Sequence, residues 1–213
     1  AQVRPEIVLP ERSYGKHFNQ IVMASGALPM QQELVEKKMP LVEEYIRANG
    51  INRIVDAEVG GSVGIVATGK SFTDLRQALA YLGLRVPILH LSVIFPLDYQ
   101  IVREFARGLK RIYVIEEPGP FVEEGIKAAL WDTGVEAVFG QFDEDGQPFI
   151  PSHGEVDPEY LAQQLGRQIG AESEQLKGLQ DIAERSYPLL PSVTPMSCGG
   201  CPYNAFRDLK EKP

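Results

Sequence analysis

The chain has 213 residues, 44% hydrophobic and 23% charged, a balance that suits one globular core with appendages and excludes a disordered or fibrous chain. A formal net charge of −8 provides no basic face for phosphate backbones, which excludes nucleic acid as a principal partner. No apolar run approaches the roughly 20 residues that span a bilayer, no secretory pattern opens the sequence, and two cysteines are too few for a disulfide scaffold. The expectation is a reduced, cytoplasmic protein with no membrane partner.

Residues 1–29 lack periodicity and are punctuated by Pro5, Pro10, Gly15, Gly26 and Pro29, which predicts an extended arm with at most a short strand over 6–9. From Met30 the rhythm is helical. Leu34, Val35, Met39, Leu41, Val42, Tyr45 and Ile46 share a broad stripe that Pro40 kinks or divides and that Asn49 and Gly50 cap. Strands are predicted over 51–56 and 63–68. Ser71 then caps a helix with Leu75, Ala78, Leu79 and Leu82 on its buried stripe, and Gly83 ends it. A strand over 86–95 stops at Pro96, Asp98 opens a helix, a strand follows over 111–116, Pro120 starts a helix whose stripe begins at Phe121, and a fifth strand covers 135–139.

Short strands alternating with longer helices are the signature of βαβ units, and the near-continuous Val/Ile/Leu runs suit strands buried on both faces. The predicted fold class is α/β: three layers, α/β/α, around a mostly parallel five-stranded sheet, with an N-terminal helical arm and a C-terminal proline-rich tail. Residues 143–146 read as a turn, with a small hairpin into 148–150. Asp157 and Pro158 start a helix to Ile169, a polar helix follows over 172–184, and Pro188, Pro191 and Pro195 make a stiff linker. The expected division is an arm and helix over 1–50, an α/β domain over 51–170, and a helix, linker and cysteine motif over 171–213.

Four groups of residues could carry chemistry. Residues 64–71 match the letters of a phosphate-binding P-loop, Gly-x-x-x-x-Gly-Lys-Ser, but their middle four, Ile65 to Thr68, read as strand where the mechanism needs loop amides. A strand-to-helix turn is the plainer reading, with nucleotide binding as the alternative. Glu116 and Glu117 end a strand where open α/β sheets place ligands, so they are either a metal- or proton-handling pair or structural carboxylates at a strand end. His17, His90 and His153 share no metal spacing, and His90, inside an apolar run, reads as a core histidine. Asp143, Glu144 and Asp145 lack the closing glutamate of a calcium loop.

The fourth group is Cys198 and Cys201, the only cysteines, in Cys198-Gly199-Gly200-Cys201-Pro202-Tyr203. They could form a redox dithiol as a stand-alone module. Their place after a proline-rich tail, far from the last predicted strand, fits half of a metal site better, since a [4Fe–4S] cluster or a structural zinc takes four protein ligands. The chain opens on Ala1 without a Met and closes at Pro213, soon after the pair, so the expectation is that the other ligands lie on further polypeptide.

Several segments together resemble one family. Residues 64–79, the proline-ended run 91–97 and residues 113–117 are similar to the transketolase C-terminal-like domain of 2-oxoacid:ferredoxin oxidoreductases. Residues 142–151 and 153–158 resemble the single-chain indolepyruvate branch, and residues 198–203 resemble a Cys-x-Gly-Cys-Pro-His segment that introduces the thiamine-diphosphate domain, with Tyr203 where that family usually has His. The resemblance implies an enzyme that oxidatively decarboxylates a 2-oxoacid such as indolepyruvate, using thiamine diphosphate, iron–sulfur clusters and coenzyme A. It further implies ferredoxin or another electron acceptor, a homodimeric parent, and other domains of the same polypeptide as partners. This segment would serve architecture and interfaces, with coenzyme A contacts and with Cys198 and Cys201 as half of a cluster site. It would be catalytically silent alone, carrying no catalytic residue, and its cysteines would be metal-free.

Overall fold

The computed structural model describes residues 6–11 and 26–186. Five strands, β1 (Arg53–Val55), β2 (Val63–Thr68), β3 (Ile88–Leu91), β4 (Arg111–Ile115) and β5 (Ala137–Phe139), form one sheet in the order β1-β3-β2-β4-β5. The last four are mutually parallel, and β1 runs antiparallel on the edge, pairing Arg53 with His90 and Val55 with Ile88. The mostly parallel α/β sheet is therefore as expected. Its central strands are buried on both faces: Ile65, Ala67, Tyr113 and Ile115 point into one apolar core, Val66, Ile112 and Val114 into the other.

Helices α3 (Ser71–Leu82) and α6 (Pro158–Ile169) cover the first face; α4 (Tyr99–Phe105) and α5 (Phe121–Leu130) cover the second. Asp98 opens α4 by accepting from the Gln100 amide at 3.0 Å, and Asp157 opens α6 by accepting from the Tyr160 amide at 2.7 Å. Gly83 and Gly170 close α3 and α6 in the left-handed region, with φ of 63° and 74°.

Several boundaries differ from the sequence expectation. Ser71 does not cap α3: Lys70 holds the cap position with no side-chain bond, and Ser71 is the first helical residue, buried. The strand expected over 86–95 ends at Leu91, because the Ser92 and Val93 amides donate instead to the Asn52 side-chain carbonyl at 2.9 and 3.0 Å. The hairpin after residue 142 reduces to one antiparallel bridge, between Phe142 and Pro148.

In the N-terminal arm, α1 (Ala27–Glu33) and α2 (Met39–Ala48) are joined by a π-helical turn, Leu34–Lys38. The Met39 amide reaches back five residues to Leu34, and the wider turn accommodates the Pro40 ring, which would clash with the preceding turn of a regular α-helix. A last helix, α7, covers Glu174–Ser186. The chain divides into two compact units, 1–176 and 177–213, and the sheet lies wholly in the first.

Candidate functional site

The chain runs from β2 out to β3, then crosses back to β4 on the other side of β2. The crevice between the carboxyl ends of β2 and β4 is thus the topological switch point, where open α/β sheets hold ligands. Here the chain fills it itself. Lys70, after β2, places Nζ 2.9 Å from Asp74, 3.6 Å from Glu117 and 2.9 Å from Glu155, and donates to the Val156 carbonyl at 3.3 Å. Glu117 in turn accepts from the Val156 amide at 2.7 Å. The Asp74 and Glu155 hydrogen bonds push the Lys70 pKa up, and the Lys70 bond pulls that of Glu155 down, so both stay charged.

Glu116 is also committed. Its carboxylate accepts from the Val122 amide at 2.7 Å and the Glu123 amide at 2.9 Å, satisfying the first turn of α5 from the preceding strand end. Burial raises its pKa, and those two amide bonds oppose the rise. The paired carboxylates are therefore a cap and a tether rather than an acid–base pair.

The P-loop alternative fails on geometry. Val63–Thr68 is strand, and a Cβ on Gly64 would lie 2.5 Å from Leu109 Cδ1 and 2.7 Å from Phe105 Cζ, so this glycine is required by α4 packing. His90 stacks on Phe72 with ring centroids 3.9 Å apart; burial, then the Arg53 charge, lowers its pKa, which keeps it neutral. His153 lies in the loop before α6, and His17 falls outside the described residues. Asp143 accepts from the Asp145 and Gln147 amides at 3.0 and 2.7 Å, a turn and not an ion site.

The open space lies beside the switch point, on the α4/α5 face. A groove of about 660 Å³ is walled by the loop after β3, the starts of α4 and α5, and one edge of α2. Its surface is largely apolar: Phe95 is 66% exposed, Phe121 59% and Tyr99 51%, with Ile94, Pro96 and Leu97 beside them. Large exposed apolar side chains gathered in one place mark a binding surface.

What holds this surface is unusual. Of the five buried polar side chains among the described residues, three fix groove walls. Asn52, at the start of β1, accepts from Ser92 and Val93 and donates to the Val93 carbonyl at 2.9 Å, setting the loop that carries Ile94 and Phe95. Asp98 caps α4 beneath Tyr99 and binds Arg47 through two bonds of 2.8 and 3.2 Å, tying α2 to α4. Glu116 caps α5 directly after Phe121. Buried polar groups are stabilising only when fully bonded. Here they hold loops whose apolar side chains face outward.

None of the groove's apolar residues is a sequence-predicted site residue. Ile94 and Phe95 read as strand, and Phe121 as part of a buried stripe from which it in fact falls one residue out of phase with Val122, Ile126 and Ala129. The predicted metal ligands, Cys198 and Cys201, lie outside the described residues. Two thiolates are half of the four a [4Fe–4S] cluster takes, so the chain does not supply a complete set. Among the described residues no group of three or more His, Cys, Asp or Glu is placed to hold a metal ion, and no helix is long and apolar enough to cross a membrane.

Comparison with known proteins gives the family. A family model described as "Indolepyruvate oxidoreductase domain" matches residues 53–187, from β1 to the end of α7. The chain belongs to the indolepyruvate oxidoreductase domain family. It is 31% identical over 188 residues to indolepyruvate oxidoreductase subunit IorA of Methanothermobacter thermautotrophicus and 30% over 187 residues to that of Methanothermobacter marburgensis. It is 27% identical over 186 residues to that of Archaeoglobus fulgidus. Each match covers 87% of this chain, which spans only 28% of the length of these relatives. A solved structure, 2-oxoglutarate:ferredoxin oxidoreductase from Magnetococcus marinus with 2-oxoglutarate, coenzyme A and succinyl-CoA bound, matches 69% of this chain and 24% of that one, with TM-score 0.47 and 17% identity.

Proposed function

We propose that this chain is an interface module of an indolepyruvate oxidoreductase, packing against other domains of that enzyme rather than performing the chemical step. One observation carries the reading. The crevice where an α/β sheet would take a small ligand is spanned by ion pairs from Lys70 to Glu117 and to Glu155, while the adjoining open surface is a groove lined by exposed apolar side chains. Apolar surface of this kind is stabilised by covering it with protein.

On this reading, oxidative decarboxylation of the 2-oxoacid belongs to the whole oxidoreductase. Thiamine diphosphate, the iron–sulfur clusters, the electron acceptor and the homodimeric state belong to that larger assembly. Cys198 and Cys201 would contribute two of a cluster's ligands there. Any coenzyme A contacts of this segment would belong to the same assembly.

The test is direct. The purified chain, supplied with thiamine diphosphate, coenzyme A, indolepyruvate and a viologen dye, is expected to give no dye reduction above the protein-free rate. Turnover by the chain alone would overturn the proposal.

A further inference from the structure

The groove's chemistry says what kind of surface covers it, given the interface reading on which this step rests. Its charged residues are one cation and two carboxylates: Arg47, with Glu43 and Glu124. Arg47 is paired within the fold, with Nε on Asp98 at 2.8 Å and Nη2 on Glu43 at 2.9 Å. Glu124 is exposed beside Phe121, on the helix turn that faces the loop, and makes no ion pair among the described residues. The groove thus presents aromatic faces next to uncompensated negative charge.

We propose that this groove is the docking site for a polypeptide segment of the oxidoreductase, outside these 213 residues, that carries an aromatic or branched aliphatic side chain beside lysine or arginine. The apolar side chain would sit among Ile94, Phe95 and Leu97. The cation would meet Glu124 and lie against the exposed rings of Phe95, Tyr99 or Phe121, which attract cations through their faces. A second copy of this chain is a poor occupant, because it brings the same acidic rim and the same net charge of −8. Close approach shapes the groove: a Cβ on Gly125 would lie 2.8 Å from Leu97 Cδ2, so a larger residue there would displace the Leu97 side chain that lines it.

Three fluorescein-labelled octapeptides test this by anisotropy against the 213-residue chain. One has phenylalanine and leucine flanked by lysine and arginine, one has the same apolar residues flanked by glutamate, and one is basic with serine in place of the apolar residues. The first is expected to bind about tenfold or more tighter than either other, a difference of about 1.4 kcal/mol. Binding should be lost in Phe95→Ser/Phe121→Ser and weakened several-fold in Glu124→Lys. Circular dichroism and a cooperative thermal transition verify that the variants are folded. Equal or tighter binding of the acidic peptide, binding that survives Phe95→Ser/Phe121→Ser, or no binding of the first peptide would each overturn the inference. If these results came with loss of activity in the whole enzyme bearing the same double variant, the occupant chemistry would fall and the interface reading would stand.

Discussion

Glu116 is the residue whose ionisation is most tightly bound to the groove. Burial raises its folded pKa above the ordinary value, and Glu123 and Glu124 add to the rise, while the Val122 and Glu123 amides oppose it. A carboxyl with a raised folded pKa binds its proton more tightly when folded. Its charge therefore costs stability once pH exceeds the unfolded value of about 4.3 and reaches full cost above the folded value. Wild type should accordingly lose stability relative to Glu116→Gln as pH rises from 4 through that window, read from denaturation midpoints of both proteins. A pH-independent gap, or a gap of the opposite slope, would contradict the assignment. The sequence placed Glu116 and Glu117 at a strand end but left their role open, because partners in α5 and in the 153–157 segment are contacts that spacing along the chain does not reveal.

At the scale of elements, the strands that show up in the sequence are those with long Val/Ile runs. β2 and β4 are close to their expected limits because burial on both faces leaves few polar positions. β3 and β5 are shorter than expected, and β1 turns out antiparallel. The cause in β3 is specific. Val93, Ile94 and Phe95 cannot be told from core by hydropathy, and only Asn52, 40 residues before Ser92, withdraws the amides of Ser92 and Val93 from the ladder. The same blindness hid the groove, since an apolar run reads as buried wherever it points. Gly64 shows the converse: its place in a P-loop pattern is accounted for by packing of β2 against α4. Gly64→Ala should cost about 1–3 kcal/mol by overpacking against Phe105 and Leu109. Gly134→Ala, where an added Cβ meets nothing within 4 Å, should be near neutral. Equal effects in urea denaturation would remove the packing argument.

For the whole molecule, the α/β class and the family resemblance could be read from motif order along the chain, and the family match over residues 53–187 agrees with them. The groove could not, because spacing along the chain does not reveal which apolar residues stay exposed, and the chain spans 28% of its relatives' length. Three buried polar side chains, each bonded to the backbone, fix the loops and helix starts that carry the groove's exposed aromatics. The central claim is that the groove serves association and not folding, and one double variant separates the two. In the 213-residue chain, Phe95→Ser/Phe121→Ser should leave the thermal midpoint unchanged, because both rings are exposed. In the complete oxidoreductase, the same substitutions should lower indolepyruvate-dependent reduction of the electron acceptor by about tenfold or more. Full activity of the complete enzyme with both substitutions in place would contradict the account.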